Sequence, residues 1–250
     1  CFLMALLWSV SPLKAQQTSH FSSLKHRIGL DFRPGIVLQD NSFVKRNNVD
    51  GKPNQNAYSA HLKYSFQFSK GTKWGDRYPY AYQGIGVSYN SLNNHDKLGS
   101  PVAVYVFQGS RIAQITSKLS FDYEWNFGAS FGWKKFESFD NVYKGVVGSK
   151  INAYINLGFL LNWQMTSQWN LTGGLDLTHY SNGNTSYPNP GVNLIGGRVG
   201  LVRTFGKEAD SNTVHRSDRF SSERNTLQSR LSYDLIVYGA TRKRAVLDEV

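Results

Sequence analysis

Leu119-Ser-Phe-Asp-Tyr-Glu-Trp-Asn-Phe-Gly-Ala-Ser-Phe-Gly-Trp133 is the stretch that decides the fold. Its odd positions are Leu119, Phe121, Tyr123, Trp125, Phe127, Ala129, Phe131 and Trp133, and its even positions are Ser120, Asp122, Glu124, Asn126, Gly128, Ser130 and Gly132. Successive side chains of a strand point to opposite faces, so this segment has one apolar face and one polar face. The pattern returns from Ile151 to Met165, where Ile151, Ala153, Ile155, Leu157, Phe159, Leu161, Trp163 and Met165 stand against Asn152, Tyr154, Asn156, Gly158, Leu160, Asn162 and Gln164. A tilted strand needs only about 9–11 residues to cross the hydrocarbon core of a bilayer, and both windows are long enough.

Shorter alternations lie around Leu24 to Phe32, Leu62 to Phe68, Ile85 to Tyr89, Val102 to Val106, Leu171 to Ser181 and Asn193 to Phe205. They bring the expected total to about eight strands, an allowed even number for a small membrane barrel. The fold class expected is all-β, a transmembrane antiparallel barrel followed by a polar C-terminal extension. A soluble sandwich or lipocalin would alternate too, with its apolar face inside and its charges outside. The length of the alternation and the aromatic residues at strand ends favour the membrane. With the apolar face outward, Arg27, Asp31, Lys63, Asp122, Glu124, Asp176 and Arg198 point into a narrow lumen, where opposite charges can pair and leave no pore.

The composition agrees. Hydrophobic residues make up 40% and aromatic residues 14% of the 250, too many for a disordered chain, and 23 Gly against 7 Pro suits strands and turns. The opening run Cys1-Phe-Leu-Met-Ala-Leu-Leu-Trp-Ser-Val10 is too short to span a bilayer as a helix. It reads as the apolar part of a partial secretory signal over 1–16, cut near Ala15 or Gln16. Cleavage there removes the one cysteine, and with it disulfides, thiol catalysis and cysteine metal sites. No later stretch approaches the ~18 apolar residues of a membrane helix. The formal charge of +11 suits an anionic partner; export disfavours nucleic acid and leaves a lipopolysaccharide surface.

Connections are expected to sort by length, short turns on the periplasmic side and long loops outside. From a periplasmic N-terminus, Gln39 to Asn56, Ser91 to Ser100, Lys134 to Ser149 and Asn182 to Val192 become outer loops, and Thr166-Ser167-Gln168 an inner turn. Between Phe107 and Lys118, Ile112 and Ile115 fit either a strand or a turn. Gly200-Leu-Val-Arg-Thr-Phe205 has the aromatic end of a closing strand, so the barrel is expected over 17–205, with a linker and extension of unknown structure over 206–250. Residues 207–227 are polar, and 230–240 alternate once more without an obvious partner strand.

His179 and Ser181 share the parity of Leu171, Leu175 and Leu177, which sets them on the lipid-facing side at the outer end of their strand. A histidine two residues from a serine on one strand face can take the hydroxyl proton after modest bending, as nucleophilic catalysis requires. A bare His-x-Ser is more often a pair of interfacial polar residues. Here the segment continues His179-Tyr-Ser181-Asn182-Gly183-Asn184-Thr-Ser-Tyr-Pro188-Asn189-Pro190-Gly191-Val192-Asn193. That run resembles the catalytic region of lipid A 3-O-deacylases, also called acyloxyacyl hydrolase-type outer-membrane barrel enzymes. Their pattern is His-x-Ser-Asn, then Pro-Asn-x-Gly, then an acidic residue that closes a triad.

The resemblance covers Leu171 to Phe205. It implies an outer-membrane carboxylic ester hydrolase that removes a 3-O hydroxyacyl chain from lipid A, the anchor of lipopolysaccharide. His179 matches the base, Ser181 the nucleophile, and Asn182, Gly183 and Asn189 the oxyanion and substrate-binding region. The acidic position falls on Asn193, which shares the outward parity of Ile195, Val199 and Leu201, whereas Asp176 points to the lumen. An amide can orient a histidine through its carbonyl but cannot neutralise an imidazolium as a carboxylate does. The alternative is a barrel that keeps the fold without catalysis, an adhesin or structural protein. No cofactor and no metal site are expected, because His26 and His61 have no ligand spacing around them. Lys45, Arg46 and Lys52 in the first outer loop are solvated charges or partners of lipid A phosphates.

Overall fold

The computed structural model describes residues 24–38, 56–93, 95–134, 148–186 and 191–205. The expected signal segment 1–16, Lys45, Arg46, Lys52, Asn189 and the extension 206–250 lie outside the described residues. Eight strands run in sequence order: β1 (Leu24–Val37), β2 (Asn56–Phe68), β3 (Tyr82–Ser91), β4 (Gly99–Gln114), β5 (Leu119–Trp133), β6 (Ile151–Gln164), β7 (Trp169–Ser181) and β8 (Val192–Phe205). Each pairs antiparallel with the next, and β8 returns to β1 from His26↔Phe205 to Val37↔Leu194, closing the barrel. Closure leaves no open edge, which is the condition for a sheet to cross lipid. Register keeps the two faces apart: β5 lies on β6 from Leu119↔Trp163 to Phe131↔Ile151, so apolar rows meet apolar rows without a slip.

The apolar face is outside. Leu30, Leu62, Ile85, Val104, Phe127, Leu157, Leu175 and Val199, from all eight strands, are 39–67% exposed. A continuous belt of such side chains is stable only against hydrocarbon. Inside, Asp31, Lys63, Asp122, Glu124, Asp176 and Arg198 are buried, as the parity required. Arg198 reaches Glu124 at 2.7 Å and Asp176 at 2.6 Å, and Lys63 bridges Asp31 at 2.8 Å and Glu124 at 3.1 Å. Arg33, absent from the sequence expectation, joins them at 2.8 Å from Asp31. β1 continues through Pro34-Gly35 to Val37, whereas the alternation alone ends it at Phe32, so the arginine has lumen parity. Mutual pairing is what lets these charges remain buried in the lumen.

Two connections at one end are tight. Ile115 and Thr116 donate their N–H groups to Leu119 O, and Met165 and Thr166 donate theirs to Trp169 O. In both, a threonine hydroxyl, Thr116 or Thr166, accepts backbone N–H groups from the residues two and three ahead. The ambiguous stretch before Lys118 is therefore strand to Gln114 and then a turn. The third connection at this end, 69–81, is longer than expected for a periplasmic turn and carries helix α1 (Lys73–Arg77), capped by Thr72 Oγ1 accepting from Gly75 N at 3.0 Å. At the opposite end, helix α2 (His95–Leu98) interrupts the second outer loop.

Beneath that loop end an aromatic floor fills the barrel mouth. Tyr154 and Tyr180 have ring centroids 5.4 Å apart, Trp133 and Tyr180 5.1 Å, and Tyr105 and Tyr154 5.1 Å. Tyr180 Oη donates to Asn90 Oδ1 at 2.9 Å, while Leu92, Leu98 and Val192 pack around the rings. The outer end of β7 is thereby fixed from the inside.

Candidate active site

Along the last turns of the β7 pleat, Asp176 and Tyr180 are buried in the lumen, while Leu175 and Leu177 are exposed on the outside at 67% and 49%. His179 and Ser181 continue that outer row and are half-buried. Lateral pairing supplies their neighbours. His179 lies between Ile155 of β6 and Asn193 of β8, and Ser181 lies beside Ala153 of β6. Below the small Ala153 the outward row of β6 is apolar, through Ile155, Leu157, Phe159 and Leu161.

His179 Nδ1 and Asn193 Oδ1 are 2.6 Å apart. With the amide oxygen facing the ring, Nδ1 must carry the proton and donate it, so Nε2 is left as the acceptor. This is the tautomer that a serine nucleophile needs. A carboxylate enforces it because both its oxygens only accept. An amide turned over would present its NH₂ and favour the opposite tautomer, so Asn193 supports the arrangement with less selectivity.

Ser181 and His179 are not hydrogen-bonded to each other in this conformation, but they face one small volume. A point at the missing Cβ of Gly191 lies 3.1 Å from His179 Cε1 and 3.7 Å from Ser181 Cβ. The nucleophile and base of a resting enzyme are often looser than in its substrate complex. After Ser181 the chain turns on Gly183 and Asn184, with φ of 65° and 62°. Asn182 O accepts from Thr185 Oγ1 at 2.9 Å, and Asn182 Nδ2 donates to Ser186 O at 2.9 Å. This self-tied loop places the N–H groups of Asn182 and Gly183 next to the serine in the chain. The structure thus brings His179 and Asn193 into contact and sets Ser181, Asn182 and Gly183 beside them. Asn189 falls outside the described residues.

Parity reasoning did not identify Gly191 as part of the site. Its contact with the imidazole depends on how the loop returns to β8, although the glycine that follows Pro188-Asn189-Pro190 was the available signal. Parity also did not foresee a second serine–histidine pair in the lumen, where His61 Nε2 is 2.9 Å from Ser59 Oγ and His61 Nδ1 is 2.9 Å from Tyr105 Oη. Among the described residues no group of three or more His, Cys, Asp or Glu could hold a metal ion. Asp176, the acid nearest to His179 in β7, is engaged in the lumen by Arg198.

Residues 34–202 match the family model described as lipid A 3-O-deacylase (PagL). Among solved structures, the outer membrane enzyme PagL is 14% identical with a TM-score of 0.41, the match covering 69% of this chain and 97% of that one. The N-terminal barrel domain of Pseudomonas aeruginosa OprF is 11% identical with a TM-score of 0.39, over 72% and 97%. Neisserial surface protein A is 6% identical with a TM-score of 0.46, over 72% and 97%. No curated protein sequence matches.

Proposed function

Because the chain belongs to the lipid A 3-O-deacylase family, whose model spans residues 34–202, we propose that it hydrolyses the 3-O-linked hydroxyacyl ester of lipid A with Ser181 as nucleophile and His179 as base. A closed barrel with an apolar outer belt is an outer-membrane protein of a Gram-negative cell, and lipid A forms the outer leaflet there. His179 and Ser181 end the lipid-facing row of β7 on the long-loop side, at the depth where ester groups of that leaflet lie. The substrate reaches them sideways from the membrane.

Ser181 Oγ attacks the ester carbonyl carbon as its proton passes to His179 Nε2. Backbone N–H groups at Asn182 and Gly183 stabilise the oxyanion, each such donor being worth about 10²–10³ in rate. His179 then protonates the departing sugar oxygen, leaving an acyl-Ser181 ester. Water, deprotonated by His179, attacks that ester and releases the hydroxy fatty acid. Asn193 holds the ring through Nδ1. Lys45, Arg46 and Lys52 are proposed to meet lipid A phosphates from the first outer loop, and 1–16 to direct export.

The observation that carries the reading is the 2.6 Å His179 Nδ1 to Asn193 Oδ1 contact on the membrane face that also bears Ser181. A serine-reactive phosphonate with a long acyl-like chain, applied to the folded barrel in detergent, tests it. Labelling mapped to Ser181 and lost in His179→Ala supports the enzyme. A folded protein whose Ser181 stays unlabelled favours the non-catalytic barrel, the reading suggested by an amide where the family has an acid.

A further inference from the structure

Gly191 is buried, and its backbone is left-handed, with φ of 76°. A methyl group built on it would lie 3.0 Å from Tyr180 O, 3.1 Å from His179 Cε1 and 3.7 Å from Ser181 Cβ. Cε1 joins the two imidazole nitrogens, so the glycine packs against the ring edge between Nδ1, which holds the Asn193 bond, and Nε2. Of the two groups crowded most closely, Tyr180 O cannot yield. It belongs to β7 backbone paired with Tyr154 and Val192, and its own side chain is pinned to Asn90 and packed edge-on against Trp133 and tilted against Tyr154. The imidazole is the part that can move, and its Nδ1, next to Cε1, is already held by Asn193 at 2.6 Å.

We infer that Gly191 is a positioning residue of the site: the absence of a side chain there sets the plane of the His179 ring between Asn193 and Ser181. The inference deepens the esterase reading and rests on it for its kinetic arm, while its spectroscopic arm stands apart. Any Cβ at 191 displaces the ring by a few tenths of an ångström or more from Asn193, from Ser181, or from both. Small misplacements of a base are costly, because the proton must pass within hydrogen-bond reach in the transition state.

The test compares Gly191→Ala, Gly191→Asn and Gly71→Ala in the full barrel. Gly71 has φ of 82° with nothing within 4 Å of its missing Cβ, so Gly71→Ala carries similar backbone strain at the other end of the molecule. Asparagine tolerates the left-handed region better than alanine yet still carries the Cβ, and so separates steric from conformational effects. Expected is a kcat on a short-chain lipid A analogue about 10²-fold lower in both Gly191 variants, with KM within about twofold, and no change in Gly71→Ala. The downfield proton resonance of His179 Nδ1–H, which a hydrogen bond of this length produces, should shift or vanish in both Gly191 variants and persist in Gly71→Ala and in Ser181→Ala. If Gly191→Ala keeps the resonance, or loses it yet keeps its kcat, the assignment is overturned. If Gly191→Asn alone recovers, backbone strain rather than the Cβ contact was the cause, and the assignment is likewise overturned. An inactive parent protein defeats the esterase reading, and the resonance still decides whether Gly191 sets the ring.

Discussion

Two serine–histidine pairs, each with one residue between them, occupy opposite faces of the same barrel wall. On β2, Ser59 and His61 point into the lumen and are already hydrogen-bonded, with a tyrosine hydroxyl on the second ring nitrogen. On β7, His179 and Ser181 share the outer face with the apolar belt and are not bonded to each other, with an amide oxygen on the second ring nitrogen. Judged by hydrogen bonds alone the lumen pair looks the better catalyst. It cannot act as one: His61 lies beside Asp31 on the neighbouring strand, Asp31 is clamped by Arg33 and Lys63, and an ester with its acyl chain has no way through that ion-paired plug. The outer pair lacks the finished bond but lies on the apolar outer face, where the proposed lipid substrate would meet it. Access and the group behind the imidazole decide which pair can be a site, and a ready-made hydrogen bond does not.

The contrast breaks most readily at His179. Removing it should lower ester hydrolysis about 10⁴- to 10⁶-fold, as loss of a catalytic histidine does in serine hydrolases, while His61→Ala should leave the rate unchanged; initial rates on matched folded protein read both. Arg198→Met probes the plug instead. It removes the closest cation from Glu124 and from Asp176, leaving Glu124 to Lys63 at 3.1 Å and Asp176 to Arg33 at 3.5 Å. It should cost less than the ~3–5 kcal/mol of a fully unpaired buried charge, read from urea unfolding in lipid vesicles, with kcat per folded molecule preserved.

A third change sharpens the role of the group behind the imidazole. Asn193→Glu should raise kcat about 10- to 100-fold, below the ~10⁴ that separates carboxylate from amide in a serine-protease triad. Asn193→Ala should lower it, and an alanine variant as fast as the parent would remove Asn193 from the site. The smallest effect belongs to Ser59→Ala, which gives up one lumen hydrogen bond, about 1 kcal/mol of stability by the same unfolding assay, and no activity.

What the sequence revealed of this molecule follows the range of each physical signal. Period-two alternation is enforced wherever a strand separates lipid from lumen, so β5 and β6 and the face of each lumen charge could be read from parity. The signal fades at strand ends, where both faces become polar. For that reason the continuation of β1 past Pro34, and with it Arg33, went unread, as did the run of β4 to Gln114. The shared Thr-Ser pair of 116–117 and 166–167 would have located the second tight turn. Of the site, the outward parity common to His179, Ser181 and Asn193 was legible, while the His179–Asn193 contact depends also on the β7–β8 register, which parity does not fix. Gly191 stood out only as the glycine of the Pro-Asn-x-Gly run, because its place against the imidazole is set by a loop closing in three dimensions, which no periodicity encodes.

The central claim is that the membrane-facing pair removes an acyl chain from lipid A. Mass spectrometry of lipid A from Gram-negative cells expressing the chain, its Ser181→Ala variant and its Ser59→Ala variant measures it most directly. The account predicts loss of one 3-O-linked hydroxyacyl chain with the parent and with Ser59→Ala, and intact lipid A with Ser181→Ala. Unmodified lipid A in cells whose outer membrane holds the folded parent barrel, or deacylation that survives Ser181→Ala, would contradict it.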